Sequence, residues 1–318
     1  MIAWARLEAM KTHPACLVVL FNHAYPDNIP ALRRIYGRRF SRIVFLLPNR
    51  RVPDPACFTA YRGSYTFHGL VADAREFLLA QDADVYVFAA DDLILNPALT
   101  EDTVAGSLRL GERDGFVPEF KFLAGRRHDA DGRPGPESPA RDWPWARRVL
   151  SRLDPRNPML GSGVEGYLAE LPDRETAIRT FRQYGEPLLN FEMPAQPRRG
   201  LRRLLSGLDR PSVHALPLPL AYGISDLFVV RRSRLDRLTH YLGILASLDL
   251  FVEVAVPTAL ILAAERVVTA DEAGWQFSWT PSSWNSAEHT FRSLLEIETR
   301  YPTSQLFVHP VKLSKLAS

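Results

Sequence analysis

Asp84-Val85-Tyr86-Val87-Phe88-Ala89-Ala90-Asp91-Asp92 is a short apolar run that stops on two adjacent carboxylates. Its β-branched and aromatic residues lie between polar Gln81-Asp82 and Asn96-Pro97, the pattern of a buried strand whose end emerges at a sheet edge. Open α/β sheets bind ligands outside the carboxyl ends of their strands. Two bare carboxylates there repel one another unless a cation, a hydrogen-bond donor or water compensates. A divalent metal carrying a phosphate is therefore the expected occupant.

Upstream, Cys16 to Phe21 is a second apolar run of strand length, ending on Asn22-His23 and the turn-forming Pro26-Asp27-Asn28. Ile29, Leu32, Ile35 and Tyr36 follow at helical spacing, with Pro30 in the first turn and Gly37 placed to end it. Arg42 to Leu47 gives another strand, and strand, helix, strand in this order predicts a right-handed parallel crossover. Pro48, Pro53 and Pro55 mark residues 49–57 as a loop, after which Leu70, Val71, Ala74, Phe77 and Leu78 predict the helix that leads into the Asp84 strand.

Downstream, 99–110 is expected to be helical, with a short strand at Gly115-Phe116-Val117. Residues 124–161 are rich in Arg, Asp, Gly and Pro, carry Trp143 and Trp145, and show little periodicity. They are expected to form either a lid or a surface excursion. A helix over 173–184 comes next. Arg198, Arg199, Arg202 and Arg203 beside leucines then form either a solvated face or a contact for an anionic membrane surface or glycan. Ala221 to Val230 is read as a strand, 233–247 as a helix, and Leu250 to Val256 as a segment leading through Pro257 into an apolar helix over 258–264. A charged helix over 286–301 and the run Leu306 to Leu313 close the pattern. The expected fold class is α/β, a Rossmann-type mixed sheet flanked by helices with a long insertion. It divides into a nucleotide-binding half (1–125), an insertion or lid (126–215) and an acceptor-binding half (216–318).

At 318 residues the chain can bury a sizeable core, and 46% hydrophobic with 24% charged residues is globular composition. A net charge of +3 gives no support to nucleic-acid binding. Two cysteines cannot make a disulfide framework, and charges near Met1 interrupt any signal-like run, so a cytoplasmic location is expected, peripheral at the inner membrane face if the arginine run is a contact. No Gly-x-Gly-x-x-Gly fingerprint, P-loop, zinc spacing or Gly-x-Ser-x-Gly elbow is present, which weighs against dehydrogenase, P-loop kinase and serine hydrolase readings.

Two further acids interrupt apolar runs, Asp226 within 224–230 and Glu253 within 248–256. A partly buried carboxylate has the raised pKa that a general base needs, and either acid could instead satisfy an arginine or a backbone donor. Asn22, His23, Tyr65, His68 and Gly69 lie where an α/β half holds a base and ribose.

A nucleotide-binding α/β half, a strand ending in paired acids and a second mixed half together resemble glycosyltransferases of the GT-A fold. In that family a short Asp-any-Asp motif holds a divalent cation on a nucleotide-sugar diphosphate. Here Ala90, Asp91 and Asp92 occupy the three places, so the last acid is kept and the first, which would contact the ribose, is not. The resemblance implies Mn²⁺ or Mg²⁺ at Asp92, supported by Asp91 and by His309 returning from the C-terminal segment. Lys312, three positions beyond His309, is the expected point charge for the diphosphate, and Glu253 or Asp226 the expected base. The implied reaction moves a sugar from a nucleotide-sugar donor to a hydroxyl of a glycan or glycolipid acceptor, in surface-polysaccharide assembly. A metal-independent variant, a sugar nucleotidyltransferase and a non-catalytic nucleotide- or sugar-binding module are the alternatives, and the oligomeric state is left open.

Overall fold

A computed structural model describes residues 13–123, 126–128, 134–137, 153, 163–187, 189–193, 212–277, 291 and 293–313. The strands used below are β1 (His13–Leu20), β2 (Arg42–Pro48), β3 (Cys57–Ala60), β4 (Ala83–Ala90), β5 (Ile94–Leu95), β6 (Gly115–Phe116), β7 (Phe120–Phe122), β8 (Ala221–Gly223), β9 (Leu227–Arg231), β10 (Val267–Val268) and β11 (Phe307–Val308). The helices are α1 (Ile29–Tyr36), α2 (His68–Asp73), α3 (Arg75–Leu79), α4 (Arg174–Arg182), α5 (Arg232–Ser247), α6 (Val252–Ala263) and α7 (Leu294–Arg300).

The chain forms a mixed α/β fold around a seven-stranded sheet in the order β10-β6-β9-β4-β1-β2-β3. Strand β9 runs antiparallel to both its neighbours, and the remaining pairings are parallel. The chain steps outward from β1 through β2 to β3 and then returns to place β4 on the other side of β1. This reversal is a topological switch point, where open α/β sheets leave a crevice at the carboxyl ends of the strands.

Alternation along the strands divides the core. Cys16, Val18, Leu20, Tyr86, Phe88 and Phe228 face the layer containing α2, α5 and α6. Leu17, Val19, Phe45, Val85, Val87 and Val229 face α1 and the C-terminal segment around Phe307. Because β4 is paired on both edges and covered on both faces, its sequence from Val85 to Ala90 is a continuous apolar run. Phe88 and Phe228 stack across the antiparallel pair at 4.5 Å with 9° between planes, which fixes the register that sets Asp226 beside the end of β4.

Several expectations are corrected. Strand β3 falls partly within the expected loop and pairs parallel to β2 across a link of only residues 49–56, with no crossover helix. Residues 68–79 form two helices rather than one, broken at Ala74, whose ψ of 8° leaves the helical range. Between 99 and 110 only Val104–Ser107 is α-helical, and Arg109 turns away with φ 53°.

The expected strand over 221–230 is two strands. At Gly223 a Cβ would lie 2.2 Å from the Glu119 carbonyl oxygen, so β8 pairs with β7 and the chain leaves it before starting β9. Helix α6 begins at Val252 and runs through Pro257, so Glu253 stands in a helical first turn and not before a bend. Helix α4 is capped by Asp173, which accepts from the Thr176 N–H at 2.9 Å. Of the helix expected over 286–301, residues 294–300 form α7, whose N-cap is Ser293, and 286–290 and 292 lie outside the described residues. Trp143, Trp145 and the arginine run 198–203 lie outside the described residues. Of the expected lid region, the described part includes the paired strands 126–128 and 134–137. The central sheet draws strands from both the 1–125 and 216–318 segments. No helix among the described residues is long and apolar enough to cross a membrane.

Candidate active site

A cleft of about 580 Å³ opens at the switch point, lined by Asn22, His23, Ser64, Tyr65, Phe67, Asp92, Asp226, Phe251, Val252, Glu253, His309 and Pro310. Four separated parts of the chain supply its charged groups. Asp92 comes from the turn after β4, Asp226 from the residue before β9, Glu253 from the first turn of α6, and His309 from just beyond β11.

The antiparallel direction of β9 explains Asp226. Leu227 pairs with Ala89, and the Ala90 N–H donates to the Asp226 carbonyl at 2.8 Å. The start of β9 therefore lies beside the end of β4, and an acid preceding one strand meets acids following the other. The Ser225 hydroxyl donates to the Val252 carbonyl at 3.1 Å, tying the start of α6 to the same corner.

His309 arrives because β11 pairs antiparallel with β5, Val308 against Ile94 and Phe307 against Leu95. The Val311 N–H closes the approach by donating to the Asp92 carbonyl at 2.6 Å. His309 Nε2 lies 3.2 Å from Asp92 Oδ1 and 3.9 Å from Asp226 Oδ1.

The two adjacent aspartates separate in role. Asp91 is 5% exposed and is not on the cleft wall. It accepts from Asn28 Nδ2 at 3.3 Å, while its own N–H donates to the Leu20 carbonyl at 2.9 Å. Asp91 thus ties the loop after β1 to the end of β4, and Asp92 faces the cleft.

Burial raises three carboxyls of this region, those of Asp91, Asp226 and Glu253. Asp91 is pushed up to about 7 by burial and then by the Asp92 charge, against hydrogen bonds from Asn28 and the Asn22 backbone. Asp226 rises to about 6, from burial first, with His309 opposing. Glu253 rises to about 7 from burial and the Asp226 charge. Burial pulls His309 down, but the Asp92 bond and the Asp92, Asp226 and Asp91 charges together carry it above its usual value. A carboxyl whose folded pKa is raised stabilises the fold below its unfolded pKa. That contribution is lost as pH rises through 6 to 7, so the three acids make the folded state costlier at alkaline pH.

Of the residues expected at the site, Asn22, His23, Tyr65, Asp92, Asp226, Glu253 and His309 line the cleft, and Asp91, His68, Gly69 and Lys312 do not. Lys312 is exposed to solvent. Gly69 packs in the core layer, where an added Cβ would meet Ala246 at 3.2 Å and Arg62 Nε at 3.1 Å. His68 is fully buried, with neither ring nitrogen hydrogen-bonded among the described residues. Ser64, Phe67, Phe251, Val252 and Pro310 are cleft residues that the sequence reading missed. Phe251 packs on Tyr65 at 5.0 Å between ring centroids. Its place immediately before the first turn carrying Glu253 was the available signal.

His68 gives a stability test. Burial, aided by the Arg62 charge, lowers it to about 3. A histidine with a depressed folded pKa contributes stability that is complete above its unfolded value near 6.5 and is lost as pH falls towards the folded value. Relative to His68→Leu, the wild type is expected to lose about 2 kcal/mol between pH 7.5 and pH 5, read from urea midpoints. A constant difference between the two proteins across that range would contradict a neutral buried imidazole.

Among the described residues, no group of three or more His, Cys, Asp or Glu side chains is arranged to hold a metal ion. The Asp92–His309 pair offers two donors. Their 3.2 Å separation is close to the roughly 3 Å edge between neighbouring ligands of a hard divalent ion with bonds of about 2.1 Å. Such ions commonly take one or two protein ligands and complete their shell with phosphate oxygens and water. The pair fits a shared ion of that kind and does not by itself form a closed cage. Comparisons with protein-family models and with curated proteins gave no match to this chain.

Proposed function

We propose that this chain is a glycosyltransferase of GT-A type that uses a nucleotide-sugar donor together with Mn²⁺ or Mg²⁺. The observation that carries the reading is the convergence of Asp92, Asp226, Glu253 and His309 from four parts of the chain on one cleft at the switch point. The β3-β2-β1-β4 order and the single antiparallel strand beyond β4 agree with a nucleotide-binding half joined to a mixed half.

In this reading Asp92 and His309 hold the cation, and Asp226, at 3.9 Å from His309, orients the donor sugar. The cation supplies charge neutralisation of the leaving diphosphate. That chemistry suits a cleft whose described lining contains three acids and no Lys or Arg. Asn22, His23, Ser64 and Tyr65 form the wall for the nucleoside. Glu253 accepts the acceptor hydroxyl proton. It is the less enclosed of the two candidate bases, and with a pKa near 7 it is both ionised in part at neutral pH and basic enough to take a proton. The acceptor is a hydroxyl-bearing glycan or glycolipid.

The test is turnover of a panel of nucleoside-diphosphate sugars, without an added acceptor, followed by release of nucleoside diphosphate. One donor is expected to be hydrolysed slowly with Mn²⁺ or Mg²⁺, and chelation is expected to stop it. Release of pyrophosphate from a nucleoside triphosphate and a sugar phosphate would instead assign a nucleotidyltransferase. Nucleotide binding with no turnover of any donor would leave a binding module.

A further inference from the structure

The buried side chain of Asn96 joins the chain just beyond Asp92 to the segment that carries His309. It is 4% exposed. Its Nδ2 donates to the carbonyl of Gln305 at 2.7 Å and approaches those of Thr303 at 3.3 Å and Pro302 at 3.4 Å. Its Oδ1 accepts from the Ala98 N–H at 2.9 Å, and its own N–H donates to the Leu306 carbonyl at 2.9 Å. The amide therefore satisfies backbone groups on both strands of chain at once, with the two donors and one acceptor that only Asn and Gln side chains carry in one planar group.

The surrounding bonds point the same way. Tyr301 Oη donates to the Ile94 carbonyl at 2.8 Å. On the opposite side of the turn, the Tyr36 hydroxyl donates to the Leu93 carbonyl at 2.9 Å and accepts from the Leu95 N–H at 3.1 Å. Arg39 reaches the Leu95 and Asn96 carbonyls. Residues 93–96 are thus fixed to α1 on one side and to residues 301–308 on the other.

We infer that Asn96 is a positioning residue: by clamping residues 302–306 to the turn after β4, it sets His309 against Asp92 and so determines the affinity of the site for a divalent ion. The clamp itself rests on the hydrogen bonds above, and its link to ion affinity rests on the proposed function. Asn96 is not on the cleft wall. It acts through the register of β5 and β11, because His309 immediately follows β11. Supporting residues behind metal ligands typically alter metal affinity by about 10–100-fold.

The test uses the full chain carrying Asn96→Asp, which keeps the shape but sets a carboxylate against three carbonyl oxygens, and Tyr301→Phe as a milder loosening of the same segment. Two measurements are made. Hydrogen exchange is expected to accelerate at the Leu306, Val308 and Val311 amides in both variants, more in Asn96→Asp, with β1 and β4 amides unchanged. Unchanged exchange at those three amides would overturn the clamp whether or not the protein binds metal.

Titration with Mn²⁺ alone is expected to show at least a tenfold weaker affinity for Asn96→Asp. The double variant Asn96→Asp/His309→Ala is expected to be no weaker than His309→Ala, because the effect passes through His309. Additive losses, or an affinity unchanged despite faster exchange, would overturn the positioning role. A wild type that binds no Mn²⁺ would overturn the link to ion affinity together with the metal assignment, while the exchange result still decides the clamp.

Discussion

Glu253→Gln is expected to lower the transfer rate by about 10²–10⁴-fold, the usual contribution of a positioned general base, while nucleotide affinity stays within about twofold. The glutamine keeps the volume and hydrogen-bonding reach in the first turn of α6 but cannot take a proton. Asp92 and His309 lie elsewhere on the cleft, so the proposed cation and diphosphate contacts are untouched. In the wild type, kcat is expected to rise as pH increases through about 7, because the acting form is the carboxylate and burial beside Asp226 holds its pKa there. The rise should be absent from the residual activity of Glu253→Gln. A Glu253→Gln enzyme of near-normal rate, with Asp226→Asn inactive, would move the base to Asp226, whose pKa near 6 would place the rise about one unit lower.

Asp92→Ala is the second large effect. It removes the carboxylate 3.2 Å from His309 and leaves the imidazole as the remaining member of the proposed ligand pair. Mn²⁺ affinity is expected to fall by more than about 100-fold, beyond the range for supporting residues, and metal-dependent nucleotide binding is expected to disappear with it. Asp91→Ala should behave differently. Asp91 faces Asn28 and the loop after β1, so its loss should act through the fold and the loop and spare Mn²⁺ binding. Equal losses of Mn²⁺ affinity in the two variants would mean that both acids bind the ion.

The central strand and its acids were readable because burial on both faces forces a continuous apolar run, and its abrupt polar end then marks the sheet edge. The same logic revealed Asp226 and Glu253 as acids inside apolar surroundings. Strand β3 was not readable. It is four residues long, follows two prolines and joins its parallel neighbour without a helix, so neither periodicity nor connection length marked it. Its Cys57–Ala60 sequence has no signal that sets it apart from a loop.

The break between β8 and β9 was equally hidden, since the close approach of Gly223 to the Glu119 backbone is a tertiary fact. His68 was expected at the ligand because its segment lies where an α/β half holds a base and ribose. It is instead fully buried and off the cleft wall, which is a tertiary fact that local sequence does not display. Lys312 was expected at a diphosphate from its spacing to His309, but the chain beyond β11 carries it out to solvent. In the sequence Asn96 marks only the polar boundary of the apolar run. Its bonds to Pro302, Thr303 and Gln305 span about two hundred residues of sequence and could be found only in three dimensions.

The most direct test of the account is calorimetric titration of the wild-type protein and Asp92→Ala with a panel of nucleoside diphosphates, each with and without Mn²⁺. The expected result is that one nucleoside diphosphate binds the wild type only when Mn²⁺ is present, and that Asp92→Ala binds none. Binding that is indifferent to Mn²⁺ or survives Asp92→Ala, or no binding of any nucleotide, would contradict a metal–diphosphate site at the end of β4.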